Sequence, residues 1–480
     1  MTLSNLTVMS IAAFDGLAIT AALGAIAEDL GHVSLLPWVI TAYLAASAVA
    51  VIVAGPVIDA IGVRRTFRIT GLWFLVWSAA AAFAPSMPVL IAARALQGVG
   101  GGLVMAVAIA SIGLTFPSAL RPRALAANSM VWGVMGFGGP AIAGALLAIG
   151  DWESIFLFQL PITGLALVIG WNTLPEARPD AVRARFDRGG VALLSAVTLA
   201  SLVAVSEIGD RWDVVAAGML VSALAGAGYW VHAGRAAEPV LARRHIVGFP
   251  NWAVHAVVAI TFTSGLAIDN YLPIYSQVNR GLGESAAAFT LAFLAVGWTM
   301  GSVLYSRLFV NVRPPVLMVW GTSLLATACL VTAIAVSRDW HLGAVLATYA
   351  FVGLGIGTVS TSSLNWLQAS TDPVEMGRAN SAHQFLRQLA ITYGVAVGGA
   401  VLLFVVAGRI DDVDVVRDAL AGEDVELGAE AGSAIGAGLA AVAVMSAALA
   451  AFGALVAAMV LRRGGRAEAN SRLVKSDLAP

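Results

Sequence analysis

The sequence predicts an all-α polytopic membrane protein: two six-helix bundles forming a pseudo-repeat, two transmembrane helices inserted between them, and both termini on the cytoplasmic side. Three observations predict it. Of the 480 residues, 59% are hydrophobic and only 11% charged, giving a mean hydropathy of +0.87, whereas soluble domains carry about 25% charge. Apolar stretches long enough for a ~30 Å hydrocarbon core recur along the whole chain, and helices satisfy every backbone group in lipid within one segment. Finally, the basic residues are sorted into alternate connections between those stretches.

In order, the spans are 5–27, 36–58, 67–86, 88–116, 124–149, 154–174, 189–208, 212–233, 251–278, 286–307, 314–336, 342–368, 376–407 and 432–461, fourteen in all. With the N-terminus inside, 20 of the 27 basic residues fall in inner segments, among them Arg64, Arg65, Arg68, Arg178, Arg183, Arg185 and Arg378. Five fall in outer loops, and Arg94 and Arg387 lie within spans. A bias of that size sets both the orientation and the even number of crossings. The net charge of −1 describes no binding surface, because the charges are sorted by side; no nucleic-acid partner is expected. Cys329 is the one cysteine, so an intrachain disulfide is excluded. The N-terminus runs into the first span without a charged leader or cleavage site, so no removable signal peptide is expected. The acidic loop around 411–430 reads as a solvated outer loop with no metal-ligand pattern.

A shift of 255 residues superimposes Gly98, Gly100 and Gly102 on Gly353, Gly355 and Gly357, Arg123 on Arg378, Gly139 on Gly394, and Gly144 on Gly399. One offset holding across two spans and a loop marks an internal repeat. It divides the chain into bundles at 1–175 and 251–461, a cytoplasmic linker at 176–188, inserted helices at 189–233, an amphipathic inner-surface segment at 234–250 and a cytoplasmic tail at 462–480. Paired bundles with a site between them are a recurring transporter plan.

Charged groups inside the spans are the sharpest candidates for chemistry, since each costs at least ~2.5–3.5 kcal/mol at mid-depth unless paired or hydrated. Asp15 lies near the middle of the first span, and Arg94 is its candidate partner. A buried carboxylate whose environment changes can exchange a proton. Asp269 lies deep in span nine, four residues before Pro273, and either faces a cavity or pairs with Arg387. His383 and Arg387, four residues apart, share a helix face; Tyr271 and Gln277 complete the candidates for a substrate cavity. A second puzzle is WGVMGFGGPAIAGALL at 132–147, an apolar span carrying Gly133, Gly136, Gly138, Gly139, Gly144 and Pro140. Each glycine weakens a helix by about 1 kcal/mol relative to alanine, and a proline by about 3. Small residues compensate in lipid by letting backbones approach closely.

GPVIDAIGVRR at 55–65 combines a small residue for close contact (Gly55), a carboxylate at a helix end (Asp59), a turn glycine (Gly62) and two basic residues, Arg64 and Arg65. The stretch resembles the signature loop of the major facilitator superfamily, where such residues latch the two halves in the outward-open state. Ala60 stands where a basic residue is usual, and the matching loop of the second half has Tyr305 where the acid would be. FDGLAITAALGAIAEDL at 14–30 resembles the first-span motif of the drug/proton antiporters, with Asp15 at the acidic position but Leu17, Thr20 and Gly24 departing from it. LIAARALQGVGGG at 90–102 resembles the fourth-span motif through Arg94, Gln97 and Gly98, and the glycine-rich helix resembles the exporters' fifth-span motif through Gly133, Gly138, Gly139, Pro140 and Gly144. YLPIYSQ at 271–277 and GRANSAHQFLRQLAITYG at 377–394 are similar to spans nine and thirteen of the fourteen-helix branch.

The resemblance covers nearly the whole chain and implies a proton-driven multidrug antiporter of the inner (plasma) membrane, monomeric, needing no cofactor besides the proton gradient, with Asp15 and Arg94 in proton coupling. A dedicated exporter of an endogenous metabolite or lipid, a passive facilitator, and a membrane sensor or scaffold are the alternatives. Nothing suggests an ATPase, because no GxxxxGK[ST] motif occurs and no soluble domain to hold one is expected.

Overall fold

The computed structural model describes residues 2–32, 35–174, 186–208, 211–269, 271–283, 286–287, 289–410 and 429–476. The elements that organise them are sixteen helices: α1 (Thr2–Leu30), α2 (Leu36–Ile61), α3 (Val63–Ala82), α4 (Met87–Thr115), α5 (Arg121–Ile149), α6 (Glu153–Gly170), α7 (Arg188–Ser206), α8 (Trp212–Arg235), α9 (Arg243–Val247), α10 (Asn251–Leu266), α11 (Leu272–Arg280), α12 (Leu291–Leu308), α13 (Pro314–Ser337), α14 (Leu342–Ser370), α15 (Met376–Ala407) and α16 (Ala429–Ser476). Linker arginines Arg178, Arg183 and Arg185, and the acidic loop at 411–428, lie outside the described residues.

Among the described residues ten helices are long and apolar enough to cross a membrane, and the bent α5 makes eleven. That is fewer than the fourteen spans read from the sequence, and one physical reason is visible at 251–278. The expected single helix is split into α10 and α11 by a turn at 267–269. Pro273 stands at the start of α11. It has no N–H for the carbonyl four residues back, and it biases Leu272 away from helical geometry, so the helix restarts rather than continues. Pro140 acts more mildly: α5 bends by 46° between Arg121–Gly136 and Ala141–Ile149, where the proline removes the hydrogen bond to the Gly136 carbonyl.

Two compact units emerge. The first holds Met1–Gly248 and Leu367–Ala396, and the second Phe249–Trp366 and Val397–Pro480. Within the first, α4 is the enclosed centre, with 72% of its apolar window buried against 22% for α8. Glycines make that enclosure possible. A Cβ on Gly98 would stand 2.3 Å from the Tyr43 carbonyl of α2, one on Gly102 2.3 Å from the Ser47 carbonyl, and one on Gly100 3.0 Å from the Phe74 Cα of α3.

Within the second unit α14 packs in the same way. A Cβ on Gly353 would stand 2.1 Å from the Leu294 carbonyl of α12, one on Gly357 2.0 Å from the Trp298 carbonyl, and one on Gly355 3.0 Å from the Leu325 Cβ of α13. The glycines are 255 positions apart, and the residues they press against are 251 apart: Tyr43 and Leu294, Ser47 and Trp298, Phe74 and Leu325. The repeat is therefore one of packing, in which three close-contact glycines on a central helix meet two neighbours in the same register.

Candidate functional site

Asp15 sits midway along α1 and Arg94 two turns into α4. The structure brings them together: Arg94 Nη1 donates to Asp15 Oδ1 at 2.8 Å and Oδ2 at 3.0 Å. Gln159 Nε2 of α6 donates to Asp15 Oδ1 at 3.0 Å, and Gln97 Nε2 reaches the same oxygen at 3.3 Å and Ser78 Oγ of α3 at 2.8 Å. Arg94 also donates to Gln97 Oε1 at 2.7 Å and to the Val39 carbonyl at 3.2 Å. Its guanidinium stacks on the Tyr43 ring, 4.3 Å from the centroid. Asp15 is 0% and Arg94 1% exposed, so the pair is dry. Arg94 and Gln97 lie three residues apart and share a helix face, which is how two α4 side chains serve one carboxylate. Five helices thus converge on one neutralised charge pair. The sequence named Asp15, Arg94 and Gln97; it missed Ser78, Gln159 and Tyr43. A glutamine in the apolar middle of α6 was the available signal, since such a group needs a partner in lipid.

A second constellation lies where α2 ends. Asp59 accepts hydrogen bonds from the Gly377 N–H at 3.0 Å and the Arg378 N–H at 3.2 Å. These are among the orphan donors at the start of α15, and a carboxylate there also meets the positive end of the helix dipole. A Cβ on Gly55 would stand 2.8 Å from the Arg378 Cα, and one on Gly377 2.3 Å from Asp59 Oδ1, so both glycines permit the approach. Gly62 has φ +80° and carries the turn into α3. Arg64 does not face Asp59: it donates to the carbonyls of Leu174 (2.5 Å) and Asn172 (3.1 Å) just beyond α6. Arg65 is exposed. The expected latch set is therefore divided, with Gly55 and Asp59 of α2 set against the start of α15, Gly62 in the turn, and the Arg64 side chain of α3 bonded to the carbonyls just beyond α6.

The start of α15 is held from another side as well. Glu375 pairs with Arg244 of α9, and its Oε2 lies 3.1 Å from His245 Nε2. The Arg244 hydrogen bond, aided by His245, holds the Glu375 carboxyl down at about 2. Burial lowers His245 below the ordinary histidine value, against the pull of Glu375. At the foot of the inserted pair, Asp187 caps α7 by accepting from the Gly190 N–H at 2.8 Å and meets His232 Nε2 of α8 at 2.6 Å. Burial pushes its carboxyl up, but those hydrogen bonds and one from the Val240 N–H prevail and lower it.

Two glycines of the 132–147 helix behave unlike those of α4. A Cβ on Gly138 or on Gly144 would meet no atom within 4 Å. Gly133 and Gly139 are buried, and Pro140 falls in the bend. Gly138 and Gly144 border open space, so at those two positions the expected tight contact is not made.

The candidates for a substrate cavity divide between the units. Asp269, in the break between α10 and α11, accepts a hydrogen bond from the Tyr349 hydroxyl of α14, a partner the sequence did not nominate. The Tyr271 hydroxyl lies 2.5 Å from where a Gly399 Cβ would stand, so its ring covers the Gly398–Gly399 pair. Gln277 is half-buried on α11. His383 is buried and Arg387, one turn on, is half-buried; both fall in the first unit.

With this geometry in view, comparison with known proteins decides the family. A profile of the Major Facilitator Superfamily matches residues 4–395. The chain belongs to the major facilitator superfamily. This major facilitator protein is 28% identical over 411 residues to the multidrug transporter protein MdtP of Bacillus subtilis (strain 168), covering 82% of this chain and 73% of that one. It is 29% identical over 420 residues to the tetracenomycin C resistance and export protein of Streptomyces glaucescens, covering 84% and 74%. Its fold is similar to that of the human organic anion transporter MFSD10 (TETRAN), with a TM-score of 0.64 at 15% identity over 95% of this chain and 98% of that one. The superfamily and these relatives make it a multi-pass membrane transporter rather than an enzyme.

Proposed function

We propose that this major facilitator protein exports small amphipathic compounds in exchange for protons, by alternating access across the plasma (inner) membrane. In this reading the chain crosses fourteen times with both termini in the cytoplasm, and it works as a monomer. The relatives' names support the export of drugs. The observation that carries the coupling is the dry Asp15–Arg94 pair. Protonating Asp15 strands the Arg94 charge, a state that costs about 3–5 kcal/mol in a closed site. Water reaching the guanidinium relieves that cost, so proton arrival favours opening of the bundle. A proton moving inward down 100 mV supplies about 2.3 kcal/mol, and one pH unit about 1.4. Their sum of roughly 3.7 is comparable to the cost of the stranded charge, and by itself sustains a several-hundred-fold gradient of a neutral substrate. Asp59 on the N-terminus of α15 serves as the conformational latch, and the bend at Pro140, beside Gly138, deforms as the cavity changes side.

Asp15→Asn tests this reading. In proteoliposomes it should abolish uphill export while leaving substrate exchange partly intact, and Asp15→Glu should retain some coupling. Uphill export by Asp15→Asn at the parent rate would move the proton site elsewhere. A second reading, a dedicated exporter of one endogenous metabolite, is favoured by the relative named for tetracenomycin C. Growth of a susceptible host expressing the chain, against cationic, neutral and anionic toxins, separates the two: a broad resistance profile supports the multidrug reading, and a single protected compound the dedicated one.

A further inference from the structure

The packing repeat carries more than glycines. Arg94 lies four residues before Gly98, and at the same place before Gly353 stands Tyr349, 255 positions on. Ser78 lies four residues after Phe74, and at the same place after Leu325 stands Cys329, 251 positions on. Asp269 lies 254 positions after Asp15, at the end of the first helix of its own unit. The first unit joins Asp15 to Arg94, with Ser78 behind Gln97. The second joins Asp269 to Tyr349, with Cys329 buried on α13. The two units therefore hold similar arrangements, an acid bonded to the side chain four residues before the first close-contact glycine of the central helix. They differ in the charge of the partner.

That difference decides what each acid can do. Asp15 faces a cation and two amides, which together neutralise and solvate its ionised form. Among the described residues, Asp269 has one neutral donor, Tyr349, and no ion pair. Cys329, at the Ser78 position of the repeat, is buried on α13, and Tyr349 and Cys329 are both 0% exposed. A carboxyl with one neutral donor is held best with its proton on, and its ionised form needs water or a cation from outside. Asp269 is half-buried and sits in a helix break, where irregular backbone at membrane depth is tolerated if it is enclosed by protein or borders a water-filled space.

We propose that Asp269, hydrogen-bonded by Tyr349 at the repeat position of Arg94, is a second proton-exchange site beside Asp15–Arg94, so that two protons are exchanged per cycle. The inference rests on the proton-coupled reading above. The test is the ethidium gradient that purified protein sustains in proteoliposomes at one pH unit, with the potential clamped to zero by valinomycin and potassium. Two protons per ethidium allow a ceiling of about 100-fold, and one allows about 10-fold. The parent should exceed tenfold, and Asp269→Asn should stop at or below it while still exchanging ethidium at equilibrium. Tyr349→Phe keeps the carboxyl and should keep the parent ceiling, but it should move the pH midpoint of exchange to the alkaline side, because the donor to the ionised form is gone. A gradient above tenfold in Asp269→Asn overturns the proposal, as does a Tyr349→Phe midpoint equal to the parent's. Loss of equilibrium exchange in Asp269→Asn makes Asp269 a binding carboxylate and overturns it too. A parent gradient that ignores the pH step refutes proton coupling itself, a result distinct from all of these.

Discussion

Replacing Asp15 by asparagine preserves shape and removes one charge, so its cost can be worked from the site. The introduced side chain would still accept at its oxygen, but its amide would point at Arg94 Nη1, where Asp15 Oδ2 now accepts at 3.0 Å. Arg94 would keep Gln97 Oε1, the Val39 carbonyl and the Tyr43 ring. None of these carries a negative charge, and Arg94 is 1% exposed. A buried ion left without its partner destabilises by about 3–5 kcal/mol. Adding Arg94→Gln removes the stranded cation, so the double variant should return to within about 2 kcal/mol of the parent. With each single change costing about 3–5 kcal/mol, the coupling between the two substitutions is then at least ~4 kcal/mol, well above the ~0.5 kcal/mol expected of independent sites. Reversible unfolding of the parent, the two single variants and the double variant in mixed micelles, titrated with dodecyl sulfate, measures it. A single Asp15→Asn change within about 1 kcal/mol of the parent, with an additive double, would refute a dry, charge-neutral pair.

Three further outcomes are expected. Gly98→Ala places a Cβ 2.3 Å from the Tyr43 carbonyl and should abolish folded protein on size exclusion, whereas Gly144→Ala meets nothing within 4 Å and should raise thermal stability slightly, by up to ~1 kcal/mol of helix propensity, while slowing transport. His245 is lowered below its ordinary 6.5, so its contribution to stability is fully present above pH 6.5 and is lost as pH falls through the lower folded value. Glu375, held at about 2, stays ionised throughout that window; the acid sensitivity of α9 docking, read by hydrogen exchange at 243–247 between pH 7 and 5, should therefore flatten in His245→Gln. Single cysteines introduced at Asp180 and Glu423, in a Cys329→Ser background, should label from outside only at Glu423; labelling of intact cells at Asp180 alone would invert the topology.

Composition and the periodic apolar runs determined by themselves that this chain is a helical membrane protein, because lipid leaves the backbone few alternatives. The spacing of Gly98, Gly100 and Gly102 and its echo at Gly353, Gly355 and Gly357 already held the repeat, since close helix contacts require small residues at fixed intervals. Asp15 and Arg94 stood out for a similarly local reason: a charge in an apolar span is costly enough to demand a partner. What only the tertiary structure decided is which groups meet across helices. Gln159 is 144 residues from Asp15 and Ser78 is 19 from Gln97, and no periodicity along one helix says which face of another it will touch. The same holds for Asp59, whose partners on α15 lie 318 and 319 residues away, and for Asp269, whose donor is an otherwise ordinary Tyr349. It holds also for the glycines of α5: sequence counts them as it counts those of α4, but contact depends on the neighbour, and at Gly138 and Gly144 there is no neighbouring atom within 4 Å of a Cβ.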